Sequence, residues 1–180
     1  MSDPSTQARR HGGSHIAVVL FLAGCASTPP PAPAPAPLTT ATAGQMVAAV
    51  RAAGEASDTE VAVRPLRNPA TADLRDLAAE QQARGALQDA AATLDRAIAL
   101  TPDDPALLQE RAEAALLVAD FATAEALARR AHALGSQVGP LCRRHWATVE
   151  QARLAAGDLA GAGAAQASLA GCRVDRPARY

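Results

Sequence analysis

Gly85-Ala86-Leu87-Gln88-Asp89-Ala90 returns as Ala119-Asp120-Phe121-Ala122-Thr123-Ala124 and again as Gly157-Asp158-Leu159-Ala160-Gly161-Ala162. Each copy opens on a small residue, reaches a large apolar residue two positions on, and places an alanine three positions after that. From Ala90 to Ala124 is 34 residues, and from Ala124 to Ala162 is 38. Around these turns the chain is rich in Ala, Leu, Arg, Glu and Asp at helical periodicity, so a unit of this length is two helices joined by a tight turn. The spacing predicts an all-α domain over residues 70–172, a short solenoid of about three helical hairpins. The whole chain holds one Trp, one Tyr and two Phe, which leaves Leu, Val and Ala to build a thin core.

The period and its small-residue positions resemble the tetratricopeptide repeat family over residues 71–172. Leu74, Leu108 and Trp146 stand where that family fills the space between the two helices of a hairpin. Ala78 and Ala112 follow where close approach is needed, and Glu150 departs from the pattern in the third unit. Ala90, Ala124 and Ala162 repeat the close approach on each second helix, Ala97 and Ala131 continue it, and Leu169 departs. Pro102 closes the first unit. Asp104 before Pro105 reads as an N-cap followed by a residue whose missing amide costs nothing at that position.

Upstream, residues 38–60 are small and polar, with one short amphipathic helix carrying Met46, Val47 and Val50 as a possibility; disorder or partial order is expected there. Before it runs Pro29-Pro30-Pro31-Ala32-Pro33-Ala34-Pro35-Ala36-Pro37, whose fixed φ angles and missing donors favour polyproline II. At roughly 3.1 Å per residue it spans about 28 Å. Still earlier, Arg9-Arg10-His11, the apolar run Ile16 to Leu22 and then Leu22-Ala23-Gly24-Cys25 look like a bacterial lipoprotein signal ending in a lipobox. The resemblance implies cleavage after Gly24 and lipidation of Cys25. Residues 1–24 are then signal peptide, 25–69 a lipidated cysteine with a Pro/Ala-rich flexible linker, 70–172 the helical domain and 173–180 a tail. The apolar run is too short to span a bilayer, which needs roughly 20 residues. Ala26 stands where inner-membrane retention usually requires Asp, so the expected address is the outer membrane, facing the periplasm.

With Cys25 lipidated, Cys142 and Cys172 remain. They fall at opposite ends of the third hairpin, and those ends are neighbours when two helices run antiparallel. In an oxidising compartment a disulfide is chemically allowed there. It closes a loop of about 30 residues and contributes roughly 3–4 kcal/mol in the chain-entropy treatment. Two alternatives stand beside it, a reactive thiol and a metal site begun by Cys142 and His145. The metal would need two more ligands, with Cys172 and His132 at hand.

Charge is unevenly spread. Between Glu55 and Leu127 fourteen acidic residues face six arginines, whereas from Ala128 onward eight arginines face Glu150, Asp158 and Asp175. All seventeen basic residues are Arg, suited to bidentate contacts with carboxylates or phosphates, and an ordinary solvated surface is the plainer reading. Net charge is −1, which argues against nucleic acid as a partner.

The family resemblance implies a concave groove lined by the first helix of each hairpin, at Arg75, Ala79 and Gln82, then Gln109, Glu113 and Leu116, then Arg144, Gln151 and Leu154. Arg75 and Arg144 stand where some family members hold a terminal carboxylate, but Ala79 and Glu110 replace the asparagines of that clamp. A protein or peptide partner is implied, with self-association through the small-residue last helix as a second expectation. The chain offers no strained nucleophile turn, no phosphate loop and no framed carboxylate pair, so an enzyme is not expected, and neither a cofactor nor a metal. Similar lipoproteins serve in pilus assembly, outer-membrane protein insertion and cell-wall enzyme scaffolding. The expected function is a periplasmic adaptor in envelope assembly; the alternative is a structural lipoprotein that binds peptidoglycan or itself.

Overall fold

The computed structural model describes residues 35–55 and 68–173, and these hold seven α-helices and no strand. The stretch read as a signal peptide, Cys25, most of the Pro-rich run and the tail beyond Arg173 lie outside the described residues. The helices are α1 (Ala43–Ala53), α2 (Pro69–Ala83), α3 (Leu87–Leu100), α4 (Pro105–Leu117), α5 (Phe121–Leu134), α6 (Pro140–Ala155) and α7 (Leu159–Gly171). None of them is long and apolar enough to cross a membrane. The pairs α2–α3, α4–α5 and α6–α7 form three antiparallel hairpins, which stack through α3 on α4 and α5 on α6.

The turn that announces each hairpin is built the same way three times. The second residue past the first helix lies in the left-handed region: Gly85 at φ 78°, Ala119 at φ 59° and Gly157 at φ 77°. The next amide then donates back five positions, Ala86 N to Gln81 O, Asp120 N to Ala115 O and Asp158 N to Arg153 O, each at 2.9 Å. This closes the helix end by satisfying carbonyls that have no partner within the helix. Ala119 is exposed and bears a Cβ where a left-handed backbone disfavours one. Ala119→Gly is therefore expected to raise stability by about 1 kcal/mol, read as an upward shift of a few degrees in the thermal midpoint.

The second helices α5 and α7 start on a capping aspartate, as does the first helix α4, whereas α3 opens at Ala86 with no side-chain cap. Asp120 and Asp158 accept from Thr123 N and Gly161 N, and Asp104 accepts from Ala106 N and Leu107 N ahead of the Pro105 helix. The hydrogen bond from Gly161 and the Arg153 guanidinium together hold Asp158 below the usual carboxylate range. The alanines of the repeat pattern do what their size allows. Ala78, Ala90, Ala97, Ala112, Ala124 and Ala131 are at most 1 % exposed, and Ala162 is buried. Leu107, Leu108 and Leu116 are fully buried beside them, so α4 forms the centre of the stack. Trp146 is half-buried against Ala112, Leu127, Ala128, Val149 and Ala165, with His132 at 4.9 Å and the Arg129 guanidinium 5.5 Å above its ring. Glu150, at the third small-residue position, is only half-buried, and burial pushes its carboxyl upward.

The longer second spacing has a structural origin. The third hairpin's first helix has 16 residues against 13 in α4, and the added turn, Pro140 to Cys142, carries the cysteine. Cys142 and Cys172 are joined by a disulfide with Cα atoms 5.7 Å apart, and Gly139 N donates to Cys172 O at 2.8 Å. Both thiols are thereby committed to each other, and the reactive-thiol and metal alternatives lapse.

One element departs from expectation. Within the segment read as flexible linker, α1 is an ordered helix opened by a capping box between Thr42 and Gln45, and Met46, Val47 and Val50 are buried at 4 %, 4 % and 0 % exposure. It packs on α6 and α4, the first helices of the third and second hairpins. Ahead of it, Leu38 N donates to Leu154 O at 2.8 Å, and Pro35 and Ala36 lie so close to Gly157 that a Cβ there would meet them at 2.7 and 2.6 Å. The folded part therefore begins well before residue 70, and the chain from the Pro-rich run enters it at the α6–α7 turn. An isolated helix of this length is unstable in water, so α1 is helical because the groove supplies its apolar contacts.

Candidate interaction groove

Helix α1 lies in the concave face that the first helices of the hairpins line. Val47 and Val50 join Ala115, Leu116, Ala124, Ala147 and Ala152 in one cluster, flanked by Ala53, Leu117, Phe121 and Leu169. The closest approach is at Gly54, after the last turn of α1. A Cβ there would meet the Arg144 side chain at 2.3 Å, so only glycine lets the arginine stem cross the helix end. Arg143 secures that end by donating to Ala53 O at 2.8 Å and to Glu55 O at 2.9 Å.

Beneath α1 the groove floor is polar. Glu113, 1 % exposed, accepts from Arg51 of α1 at 2.9 Å and from Arg144 Nε at 3.0 Å, with a second contact from Arg144 Nη2. Gln109, fully buried, donates through Nε2 to Glu113 at 3.0 Å and to the Thr148 hydroxyl at 2.8 Å. Its Oε1 is then the acceptor for His145 Nδ1 at 2.8 Å, which fixes the neutral imidazole with its proton on Nδ1. Thr148 in turn donates to Arg144 O at 2.9 Å. Burial first, then the charges of His132 and Arg144, hold His145 down to about 3. This chain of side chains joins α4 to α6 across the concave face.

The groove residues expected from the sequence thus divide. Gln109, Glu113 and Leu116 are buried with α1 in place, only an edge of Glu113 reaching the open section. Gln151 and Leu154 are half-buried, Leu154 already bonded through its carbonyl to Leu38. Arg75, Ala79, Gln82 and Arg144 line an open section of about 500 Å³, together with Arg51, Gly54, Glu55, Asp76, Glu110 and the edge of Glu113. Gly54, Glu55 and Asp76 were not expected, since their place depends on α1 or on the α2 face it leaves uncovered.

The two arginines with the position for a carboxylate clamp are already engaged. Arg75 forms a bidentate pair with Glu110, at 2.8 Å through Nε and with a second contact through Nη2, and Arg144 is held by Glu113. The same holds for Arg129, Arg130 and Arg153 of the Arg-rich half. Arg129 and Arg153 converge on Glu125, Arg153 reaches Asp158, and Arg130 reaches Asp103. Burial of Glu125 is outweighed by these guanidinium contacts, which keep its carboxyl below the usual range. The arginines bind helices together, and their charge is largely compensated within the fold.

The globular C-terminal domain of P. aeruginosa LpoP, a solved structure, is 34% identical to this chain with a TM-score of 0.54; the match covers 59% of this chain and 99% of that one. The chain belongs to the family of the LpoP C-terminal domain. No family model matches the chain, and no curated protein matches it. The LpoP likeness takes in almost the whole of that domain and leaves about two-fifths of the present chain outside it.

Proposed function

We propose that this protein is an outer-membrane lipoprotein whose periplasmic part is a tetratricopeptide-like adaptor, binding another protein during envelope assembly. The observation that carries the reading is the open section of the concave groove beside α2, a mixed polar surface continuous with a floor that already holds a helix. Kinship with the LpoP domain supports a globular periplasmic module of this design. The Pro-rich sequence ahead of the docked Pro35 supports a partner set away from the lipid, since a spacer still separates Cys25 from the folded part. Among the processes served by similar lipoproteins, cell-wall enzyme scaffolding fits that placement best. The solenoid needs no catalytic chemistry for such a role, and we assign none.

Cosedimentation with purified sacculi separates this reading from a structural wall lipoprotein. The adaptor is expected to stay in the supernatant when wall enzymes are absent. Pelleting of the purified mature protein with bare sacculi would transfer the assignment to a peptidoglycan binder.

A further inference from the structure

The concave groove is not vacant over the second and third hairpins, because α1 fills it. What lies under α1 is unusual for a helix that is merely part of a core. If α1 is lifted away, Glu113 keeps both contacts from Arg144 and the one from Gln109, while Gln109 keeps Thr148 and His145. Glu113 is not left without a partner, so exposing this floor to water avoids the penalty that normally locks a helix over an unpaired ion, while Arg143 exchanges its contacts with Ala53 O and Glu55 O for water. The helix itself contributes Met46, Val47 and Val50 on one face and Arg51 at its edge, and most of its other residues are exposed. Its far end is continuous with the open section, where Gly54 and Glu55 line the same cavity as Glu113.

We propose that α1 is a built-in, displaceable occupant of the groove, and that the partner inserts an amphipathic helix in its place. The incoming helix has the chemistry of α1: apolar residues at three positions spaced i, i+1 and i+4, and an arginine at i+5 to meet Glu113. It enters from the open section beside α2, where α1 ends. The proposal rests on the adaptor reading and names the chemistry of its partner.

The test uses the mature full-length chain and a fluorescein-labelled peptide of residues 38–55 as the helix probe. Val50→Asp loosens α1 without altering the floor. Val50→Asp protein is expected to bind the peptide at least tenfold more tightly than wild type, where α1 competes in cis, and the same peptide bearing R51E is expected to lose that gain. A Val50→Asp protein that keeps its helical circular dichroism yet takes up no peptide overturns the proposal. If that variant does not fold, amide hydrogen exchange of wild type decides: exchange at Val47 and Val50 at least a hundredfold faster than at Leu108 and Leu116 supports displacement, and equal rates overturn it. A wild-type dimer in sedimentation that Val50→Asp abolishes would overturn the partner helix by assigning the groove to α1 of a second copy. None of these readouts needs a cellular partner, so their failure is distinct from a failure of the adaptor reading.

Discussion

Reduction of the Cys142–Cys172 bond, or Cys172→Ser, is expected to lower the stability of the domain by about 3–4 kcal/mol. The closed loop spans 30 residues and contains the whole of the third hairpin, whose last helix has only α6 as a full neighbour. Helix α7 is mostly Ala and Gly, with Ala162 and Ala165 as its buried residues, so little apolar area holds it otherwise. The loss is accordingly local as well as global: hydrogen exchange in α7 should rise first, ahead of α4. Urea unfolding with and without reductant measures the effect, and a midpoint unmoved by reductant would show that packing alone holds the last hairpin.

The second large effect is a pH dependence that originates at His145. The imidazole is fully buried, donates to Gln109, and titrates at about 3 in the fold against 6.5 when unfolded. Between those values the unfolded chain binds a proton that the folded chain does not, so stability is intact above pH 6.5 and falls as pH drops toward 3. At about 1.36 kcal/mol per pH unit, the loss from this group is about 2 kcal/mol by pH 5. His132, also held below its ordinary value by burial, adds a contribution of the same sign. Glu150, raised by burial, acts in the opposite sense at lower pH, which makes pH 7 against pH 5 the cleaner comparison. Urea unfolding of wild type and His145→Gln at both values should show a clearly smaller loss in the variant. Equal losses would place the titration elsewhere.

The three hairpins were legible because their signals are local and repeated. A left-handed residue at Gly85, Ala119 or Gly157, an apolar residue at Leu87, Phe121 or Leu159, and an alanine three on reflect one turn geometry and one packing distance. The disulfide followed from the same topology. Helix α1 was not legible in the same way. Ala43 to Ala53 contains Gly44 and two β-branched valines, so its propensity is modest, and the surface that makes it helical lies a hundred residues downstream. Two local traces were present: the Thr42/Gln45 capping box and the apolar spacing of Met46, Val47 and Val50.

Reading α1 as at most partly ordered also misjudged the groove. Gln109, Glu113 and Leu116 are buried in the structure, and a repeat pattern describes directions and not occupancy. Likewise Arg75 and Arg144 face the groove as expected, and only the tertiary structure shows Glu110 and Glu113 neutralising them. Sequence alone also gave no reason to select Asp76 or Glu55.

The central claim, a protein partner received in the open section of the groove, is tested most directly by photo-crosslinking in intact cells. A photoreactive amino acid at Gln82, which lines the open section, is compared with one at Gln88, exposed on α3 away from it. A discrete adduct with one other protein from Gln82 and none from Gln88 is the predicted result. Adducts only with itself, or equal adducts from both positions, would contradict the account.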